Sequence, residues 1–313
     1  MANLLDTSAI PQRPLGRTGA PVTAICLGGY HLGLMENDNE AIRLAHEAID
    51  AGITFFDNAW EYHNGRSEEL MGRAIHDRRD RVFLMTKVCT HGRDRHVAMR
   101  QLEDSLRRLR TDHLDLWQVH EVVYDNEPEM HFAAGGVIEA LDQARREGKV
   151  RFVGFTGHKN PELHLKMLSY DYPFDACQMP LNCFDATFRS FEQRVLPELE
   201  RRGIAAIGMK SLGGEANMVK SGAVTAEEAL RYAMSLPVAS VVSGMESLDV
   251  LRQNLGVARG FTPMSDEEMQ RLRERCARLA ADGRFEHYKT TARYEGPVGR
   301  EQHGFPPQGE LIA

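Results

Sequence analysis

Short apolar runs alternate with longer amphipathic segments along most of this chain, and this alternation limits the folds that it can adopt. Eight of the runs have the length and composition of buried strands. Several are nearly all apolar, which is typical of parallel strands covered on both faces. The predicted strands are residues 24–28, 54–57, 82–87, 114–120, 150–156, 174–178, 204–209 and 239–243.

A helical pattern follows each predicted strand. The predicted helices are residues 39–51, 67–78, 93–109, 136–147, 161–168, 188–202, 226–235 and 248–259. Strands that alternate with helices run parallel, and eight such units indicate an α/β fold, a closed (β/α)8 TIM barrel rather than an open doubly wound sheet. We therefore predict a single barrel domain over residues 1–313.

The sequence beyond the barrel predicts an extra C-terminal helix and an irregular tail. The helix spans residues 265–281, where Ser265 is the N-cap and Glu268 completes a capping box. The tail, residues 282–313, carries four aromatic residues, too many for a disordered segment. We expect it to fold over the barrel mouth as an active-site lid or to pack against the outer wall.

Charge and cysteine content exclude several classes of protein. The net charge is −7 and no basic run of the nucleic-acid type occurs, so we expect no nucleic-acid partner. Five cysteines without a CxxC spacing favour a reducing compartment over a disulfide framework, a zinc site or an iron–sulfur cluster. Residues 1–19 lack an apolar signal region and no segment has membrane-helix length, which predicts a cytoplasmic protein without a membrane partner.

Four ionisable residues fall at the ends of three consecutive predicted strands, where barrel enzymes carry their chemistry. Asp57 ends the second strand and Tyr62 follows it, Lys87 ends the third strand, and His120 ends the fourth. A nearby ammonium lowers the pKa of a tyrosine from its usual value of about 10, and a carboxylate keeps that ammonium charged. A histidine can orient a carbonyl oxygen. Together these groups predict a pocket that stabilises a developing oxyanion.

The sequence around these four residues resembles the aldo-keto reductase family from about Arg13 to Arg259. The segments that carry the likeness are 57–62 (Asp-Asn-Ala-Trp-Glu-Tyr), 65–68 (Gly-Arg-Ser-Glu), 86–87 (Thr-Lys), 118–120 (Gln-Val-His) and 148–154 (Gly-Lys-Val-Arg-Phe-Val-Gly). The resemblance implies an NAD(P)H-dependent oxidoreductase that reduces an aldehyde or ketone to an alcohol, or runs the reverse, by hydride transfer. It assigns catalytic roles to Asp57, Lys87, His120 and Tyr62, with Tyr62 as the general acid.

No GxGxxG motif follows the first predicted strand, so a dinucleotide must be held in another way. In the family, Ser-Asn, a glutamine and an aromatic residue surround the nicotinamide. Here Thr156-Gly157 matches the Ser-Asn pair, so the asparagine is missing and the next residue, His158, is a candidate to replace its contact. Gln178 matches the glutamine, and Met209 stands at the position of the aromatic residue. Lys210 is predicted to meet the pyrophosphate. The turn after the eighth strand and the helix start behind it are predicted to hold the adenosine half through Ser243, Gly244, Glu246, Ser247 and Asn254.

The family resemblance favours NADPH as the cofactor, and the residues leave NADH open. Gly244 and Val250 occupy two positions where basic residues often grip the 2′-phosphate, and Glu246 between them would suit a free ribose hydroxyl. The substrate is a small-molecule carbonyl or alcohol. The predicted pocket residues are His31, Trp60, His63, Tyr124, Phe132 and Phe184.

Two other functions fit the same sequence. Some members of the family serve as cofactor-sensing or regulatory subunits, and turnover of an aldehyde would distinguish an enzyme from such a subunit. An isomerase or aldolase on an unrelated barrel would carry a Schiff-base lysine, a role open to Lys87 or Lys210. Trapping with borohydride would detect that lysine.

Overall fold

The computed structural model describes residues 9–89 and 94–307. A two-stranded hairpin precedes eight parallel strands that close into a barrel, each paired with the next in sequence and the last paired with the first. The predicted (β/α)8 TIM barrel is confirmed, and all eight predicted strands are present. The strands are β1 Gln12–Pro14, β2 Pro21–Thr23, β3 Ile25–Gly28, β4 Phe55–Asp57, β5 Phe83–Val88, β6 Leu114–Val119, β7 Val150–Thr156, β8 Ala176–Pro180, β9 Ala205–Met209 and β10 Ser240–Gly244.

Helices surround the barrel and connect its strands. The α-helices are α1 Gly29–Leu34, α2 Asp38–Asp50, α3 Arg66–Ile75, α4 Arg95–Leu109, α5 Glu127–Phe132, α6 Val137–Arg146, α7 Pro161–Ser169, α8 Phe191–Arg194, α9 Leu196–Arg202, α10 Asn217–Lys220, α11 Ala226–Ser235, α12 Leu248–Arg259, α13 Asp266–Ala280, α14 His287–Thr290 and α15 Pro297–Gln302. Short 3-10 helices span Gly16–Thr18, Tyr62–Gly65 and Arg79–Arg81. Among the described helices, none combines the length and the apolar character needed to cross a bilayer.

The predicted helices agree with the observed ones apart from their ends and one interruption. The predicted helix 188–202 is divided into α8 and α9, because Pro197 in the first turn of α9 has no N–H to continue a helical ladder. Residue 93, the first of predicted helix 93–109, lies outside the described residues. The extra helix is α13, and Ser265 and Glu268 form its capping box as predicted.

The β1–β2 hairpin, which the sequence pattern does not predict, closes the amino-terminal end of the barrel. Leu15 lies between its strands and is fully buried among the side chains that fill this end. Gly16 has a φ of +49°, and a Cβ there would lie 2.6 Å from the backbone nitrogen of Ala205, so this close approach requires glycine. Arg17 donates to the carbonyl of Phe174 at 2.8 Å and ties the hairpin to the barrel.

Apolar side chains pack on both faces of the barrel wall. On β6, Leu116 belongs to the cluster inside the barrel, and its neighbour Trp117 belongs to the cluster between barrel and helices. Neighbouring strand residues point to opposite faces, which explains this alternation. Because apolar residues fill the interior at the amino-terminal end, polar groups are left to gather at the carboxyl ends of the strands.

The C-terminal segment, described here over residues 282–307, contains the short helices α14 and α15 and is therefore less irregular than predicted. Lys289 anchors it to the barrel. Its ammonium lies 2.6 Å from Asp185 Oδ1 and 2.9 Å from Glu286 Oε1, and all three side chains are fully buried. The segment that follows α14 reaches the carboxyl ends of the strands, where the candidate site lies.

Candidate active site

The four residues singled out by the sequence come together at the carboxyl ends of β4, β5 and β6. Lys87, on β5, forms a buried ion pair with Asp57, the last residue of β4. The same ammonium donates to the carbonyl oxygen of Asn58 at 2.6 Å. Lys87 Nζ lies 5.1 Å from the centre of the Tyr62 ring, and the His120 ring lies 5.6 Å from it. The structure therefore gathers the predicted tetrad in one place.

The electrostatics of Tyr62 differ from the sequence expectation. Burial raises the pKa of its hydroxyl well above 10, and the nearby carboxylates of Asp57, Glu61 and Glu121 raise it further. The Lys87 ammonium does not lower the pKa of Tyr62 below its usual value, because Asp57 balances the charge of that ammonium. In this arrangement the Tyr62 hydroxyl holds its proton firmly at neutral pH, so the site begins with a protonated donor.

Glu61 is a site residue that the sequence reasoning missed. Its Oε1 lies 2.8 Å from Nδ1 of His120. The thiol of Cys89, directly after β5, is also close, and the carboxylate raises the pKa of that buried thiol further. The signal available in the sequence was the position of Glu61, next to Tyr62 in the signature segment.

A second carboxyl–histidine pair, Glu121 with His158, lies beside the tetrad. His158 Nε2 is 3.1 Å from Glu121 Oε2, and His158 Nδ1 is 3.1 Å from the carbonyl oxygen of Tyr288. Burial raises the pKa of Glu121 to about 7 and lowers that of His158 to about 3. A carbonyl can only accept, so Nδ1 carries the imidazole proton, and a protonated Glu121 donates to Nε2. Both nitrogens of His158 are thus engaged within the protein, a difference from the expected contact with a nicotinamide amide.

The C-terminal segment lies across this mouth. The backbone N–H of Gly296 donates to Glu121 Oε1 at 2.5 Å. The rings of Tyr288 and Tyr294 face the Lys210 ammonium, which lies 5.5 and 4.9 Å from their centres. Residues 286–296 therefore form part of the wall around the predicted site, a contribution that strand and helix patterns do not reveal.

Lys210 is a cation without a carboxylate partner at this mouth. Within residues 9–89 and 94–307, its Nζ makes no hydrogen bond or ion pair, and burial lowers its pKa to about 8. Its backbone is left-handed at φ +55°. Gly213 and Gly214 follow with φ of +82° and +78°, so the chain turns tightly beside the ammonium. This loop offers a positive charge to an anion.

The turn after β10 has the local structure expected of an anion site. Ser247 caps α12 by accepting a hydrogen bond from the N–H of Val250 at 3.3 Å. Asn254 donates to the hydroxyl of Ser243 at 3.0 Å, and both side chains are buried. Glu246 is exposed.

His31 packs directly on Gly244. A Cβ at Gly244 would lie 2.0 Å from His31 Nδ1. This position puts His31, predicted to line the substrate pocket, against the turn after β10. Any side chain larger than glycine at position 244 would displace the imidazole.

Gln178, within β8, pairs with Thr156, the last residue of the neighbouring strand β7. Gln178 Nε2 lies 3.4 Å from Asp57 Oδ2, and its Oε1 accepts from Gln118 at 3.1 Å. Both Gln178 and Thr156 are buried, whereas Met209 at the end of β9 is half-buried.

Comparisons with known proteins agree with this geometry. The sequence profile of the Aldo/keto reductase family matches residues 24–218, more than half of the chain. The chain belongs to the aldo/keto reductase family. It is similar to the oxidoreductase YrpG of Bacillus subtilis, with 29% identity over 69% of this chain and 72% of that protein.

Solved aldo-keto reductases share the fold. The holo form of aldo-keto reductase AKR11C1 from Bacillus halodurans superposes with a TM-score of 0.71 at 23% identity, covering 85% of this chain and 96% of that one. An aldo/keto reductase from Klebsiella pneumoniae in complex with NADP and acetate gives a TM-score of 0.65 at 23% identity, over 86% and 95% of the two chains. At this level of identity, the likeness shows the barrel and not the substrate.

Membership of the aldo/keto reductases implies a nicotinamide cofactor, and the mouth fits such a group. The uncompensated Lys210 ammonium is suited to a pyrophosphate, and the N–H groups at the start of α12 are suited to a phosphate or ribose. The departure lies at His158, whose ring nitrogens already have protein partners.

One of the predicted pocket residues packs away from the mouth of this aldo/keto reductase. Phe132 stacks on Tyr170 at 4.0 Å, a ring in the connection before β8, so its assignment to the pocket is wrong. The Trp60 ring lies 5.3 Å from the Arg108 guanidinium of α4, and its assignment to the pocket stays a prediction.

The remaining pocket candidates lie around the rim or under the C-terminal segment. His63 Nε2 lies 2.9 Å from the carbonyl oxygen of Tyr30, on α1. The Tyr30 ring packs edge-on against Tyr62 at 5.2 Å, a contact that the sequence did not suggest. Tyr124 donates to Glu295 at 3.2 Å, and Phe184 packs against Phe285, so the C-terminal segment covers both.

Proposed function

We propose that this aldo/keto reductase is an NADPH-dependent carbonyl reductase in which Tyr62 is the general acid. The observation that carries the proposal is the convergence of a protonated Tyr62 with the Lys87–Asp57 ion pair and His120 at the carboxyl end of the barrel. A buried tyrosine that keeps its proton at neutral pH is suited to donate to an oxygen that becomes basic during reduction.

Each member of the tetrad has a separate task in this proposal. Asp57 holds the Lys87 ammonium in place, and that positive charge stabilises the phenolate left when Tyr62 gives up its proton. His120 donates a hydrogen bond to the carbonyl oxygen and orients it. Because these groups are held before reaction begins, they stabilise the developing oxyanion without reorganising.

The cofactor, when bound, supplies the hydride. Lys210 and the turn at residues 243–247 would hold its phosphates and adenosine half, with Asn254 behind the turn. Gln178 and Thr156 would face the nicotinamide, and Met209 offers a polarisable surface for its ring. The exposed side chain of Glu246 leaves room for a 2′-phosphate, which supports NADPH over NADH.

The test is reduction of a small aldehyde by the purified protein, followed by the loss of NADPH absorbance. Tyr62→Phe removes only a hydroxyl, so we expect retained NADPH binding by protein fluorescence and a kcat lowered by at least roughly 10². Near-normal turnover in this variant would overturn the role of Tyr62. Cofactor binding without turnover in the wild type would instead favour a sensor or regulatory subunit.

Cofactor preference is tested by titrating NADPH and NADH into the wild type and Glu246→Ala. We expect the wild type to bind NADPH more tightly, with an affinity ratio that Glu246→Ala leaves almost unchanged. A shift toward NADPH of roughly tenfold, about 1.4 kcal/mol, would mean that Glu246 contacts the ribose. Tighter binding of NADH by the wild type would overturn the NADPH proposal.

A further inference from the structure

Glu61, Cys89 and His120 form a cluster of three different metal-ligating side chains beside Tyr62. Each offers one ligand atom, and these atoms all lie within 4.8 Å of one another. The three residues directly follow or lie shortly after β4, β5 and β6, so the barrel itself brings them together. Cys89 and His120 are buried, and the Glu61 carboxylate is 17% exposed.

The ring nitrogen of His120 in this cluster lacks a hydrogen bond. Nδ1 lies 2.8 Å from Glu61 Oε1, yet the contact lacks hydrogen-bond geometry and the nitrogen is shielded from solvent. A buried nitrogen without a hydrogen bond is costly unless another group takes its lone pair or its proton. A metal ion bound by the imidazole and the carboxylate, with a small separation of the two side chains, would take the lone pair of this nitrogen.

The charges around the cluster favour a cation. The Glu61 carboxylate brings negative charge to the cluster, and the ammonium of Lys87 is already balanced by Asp57. Thiolate, imidazole and carboxylate together are a ligand set of zinc, whereas magnesium and calcium prefer oxygen ligands alone. Three protein ligands are also the number found in zinc sites that keep a position for water or substrate.

We propose that Glu61, Cys89 and His120 form a binding site for one zinc-class divalent cation at the mouth of the barrel. Binding forms bonds from the metal to a carboxylate oxygen, a sulfur and an imidazole nitrogen. The Cys89 thiol loses its proton to solvent, and no group is oxidised or reduced. This site differs from the zinc sites that cysteine spacing excludes, because its ligands are far apart in sequence and are joined only by the fold.

The test is equilibrium dialysis of the full-length, untagged protein against Zn²⁺, together with a Co²⁺ titration followed by absorbance. We expect one Zn²⁺ per chain and a thiolate-to-cobalt charge-transfer band. Cys89→Ala should abolish the band and weaken Zn²⁺ binding at least tenfold, and Glu61→Gln should weaken Zn²⁺ binding while keeping the band. Cys276→Ala is the matched control, since Cys276 and Cys183 form a separate thiol pair with sulfurs 3.8 Å apart.

The outcomes decide the proposal independently of catalysis. Absence of stoichiometric Zn²⁺, absence of the band, or unchanged binding in Cys89→Ala would overturn it, as would loss of binding in Cys276→Ala alone. Tyr62→Phe keeps all three ligands, so it should bind Zn²⁺ as the wild type does even though it loses turnover. A failed carbonyl-reductase assay would therefore leave the metal-site result intact, and the reverse also holds.

Discussion

The ammonium of Lys289 lies 2.6 Å from the carboxylate of Asp185, 104 residues earlier in the chain, and neither side chain is exposed to solvent. Glu286 is a second carboxylate on the same ammonium. This buried triad fastens the C-terminal segment to the barrel, and its geometry leads to the first prediction.

Lys289→Met should destabilise the protein by about 3–5 kcal/mol, because it leaves two buried carboxylates without a cation. The measurement is the free energy of unfolding in urea, with limited proteolysis to detect release of the C-terminal segment. The matched control is Lys166→Met, which removes an exposed ion pair with Glu129 and should cost less than about 1 kcal/mol. Equal effects of the two substitutions would contradict the structural role of the triad.

The Glu121–His158 pair predicts an unusual dependence of stability on pH, measured with a chelator present. Glu121 has a raised pKa, from 4.5 to about 7, so by itself it makes stability fall as pH rises across that window. His158 has a lowered pKa, from 6.5 to about 3, so it makes stability rise across that window. Where the two pH windows overlap, the Glu121 and His158 contributions to stability change with pH in opposite directions.

In the wild type we therefore expect the contribution of the pair to the free energy of unfolding to stay constant between pH 4.5 and 6.5. The charged neighbours Glu61 and Lys210 are the same in every variant. Glu121→Gln, which still offers an N–H to His158, should reveal a stability that rises with pH by up to about 1.4 kcal/mol per unit. His158→Gln should reveal the opposite slope. Denaturation midpoints across this range measure both, and identical profiles in the three proteins would contradict the assignment of the proton.

Lys210→Met should move stability and cofactor affinity in opposite directions. The Lys210 pKa is lowered from 10.5 to about 8, so the charged form costs stability at neutral pH, and the wild type should gain stability as pH rises between those values. The variant should be at least as stable as the wild type at pH 7 and should bind NADPH roughly tenfold more weakly, about 1.4 kcal/mol. Lys220→Met, at an exposed lysine, is the control for general charge effects. Unchanged affinity in Lys210→Met would remove Lys210 from the phosphate site.

Gly296 offers a test of the C-terminal segment as a cover over the mouth. A Cβ there would lie 2.9 Å from Glu61 Oε2 and 3.0 Å from Glu121 Oε1, so Gly296→Val should crowd both carboxylates and loosen the contact between the segment and Glu121. We expect kcat/KM for a bulky carbonyl to rise relative to that for a small aldehyde. Val298→Thr, a nearly isosteric change at an exposed position, should leave this ratio unchanged. A constant ratio in Gly296→Val would mean that the segment does not limit substrate size.

The barrel could be predicted because its signals are local and repeated. Apolar strand segments and 3.6-residue helical periodicity can be recognised in the sequence without knowledge of tertiary contacts. Helix α13, with its Ser265 capping box, is an example. The β1–β2 hairpin could not be predicted in this way, because its strands are three residues long and each contains a proline. Helix α14 is a single turn, and its position depends on the buried charge of Lys289 rather than on its own sequence.

In the candidate site, too, some residues could be predicted from local sequence and others depend on tertiary contacts. Asp57, Tyr62, Lys87 and His120 could be predicted because strand ends converge in any parallel barrel. The partners of His120 and His158 depend on side-chain directions in loops, which sequence spacing does not define. Phe132 illustrates the limit, because a residue near the mouth in sequence packs on the outer wall.

The hairpin and the C-terminal segment close opposite ends of one barrel. Residues 12–23 fill the amino-terminal end, whereas residues 286–296 border the mouth. Attaching the protein to a solid support through the hairpin side would therefore leave the mouth facing solution, whereas coupling through the segment at 286–296 would block access to it. Because the two closures lie at opposite ends of the barrel, sequence changes that reshape one end need not alter the form of the other.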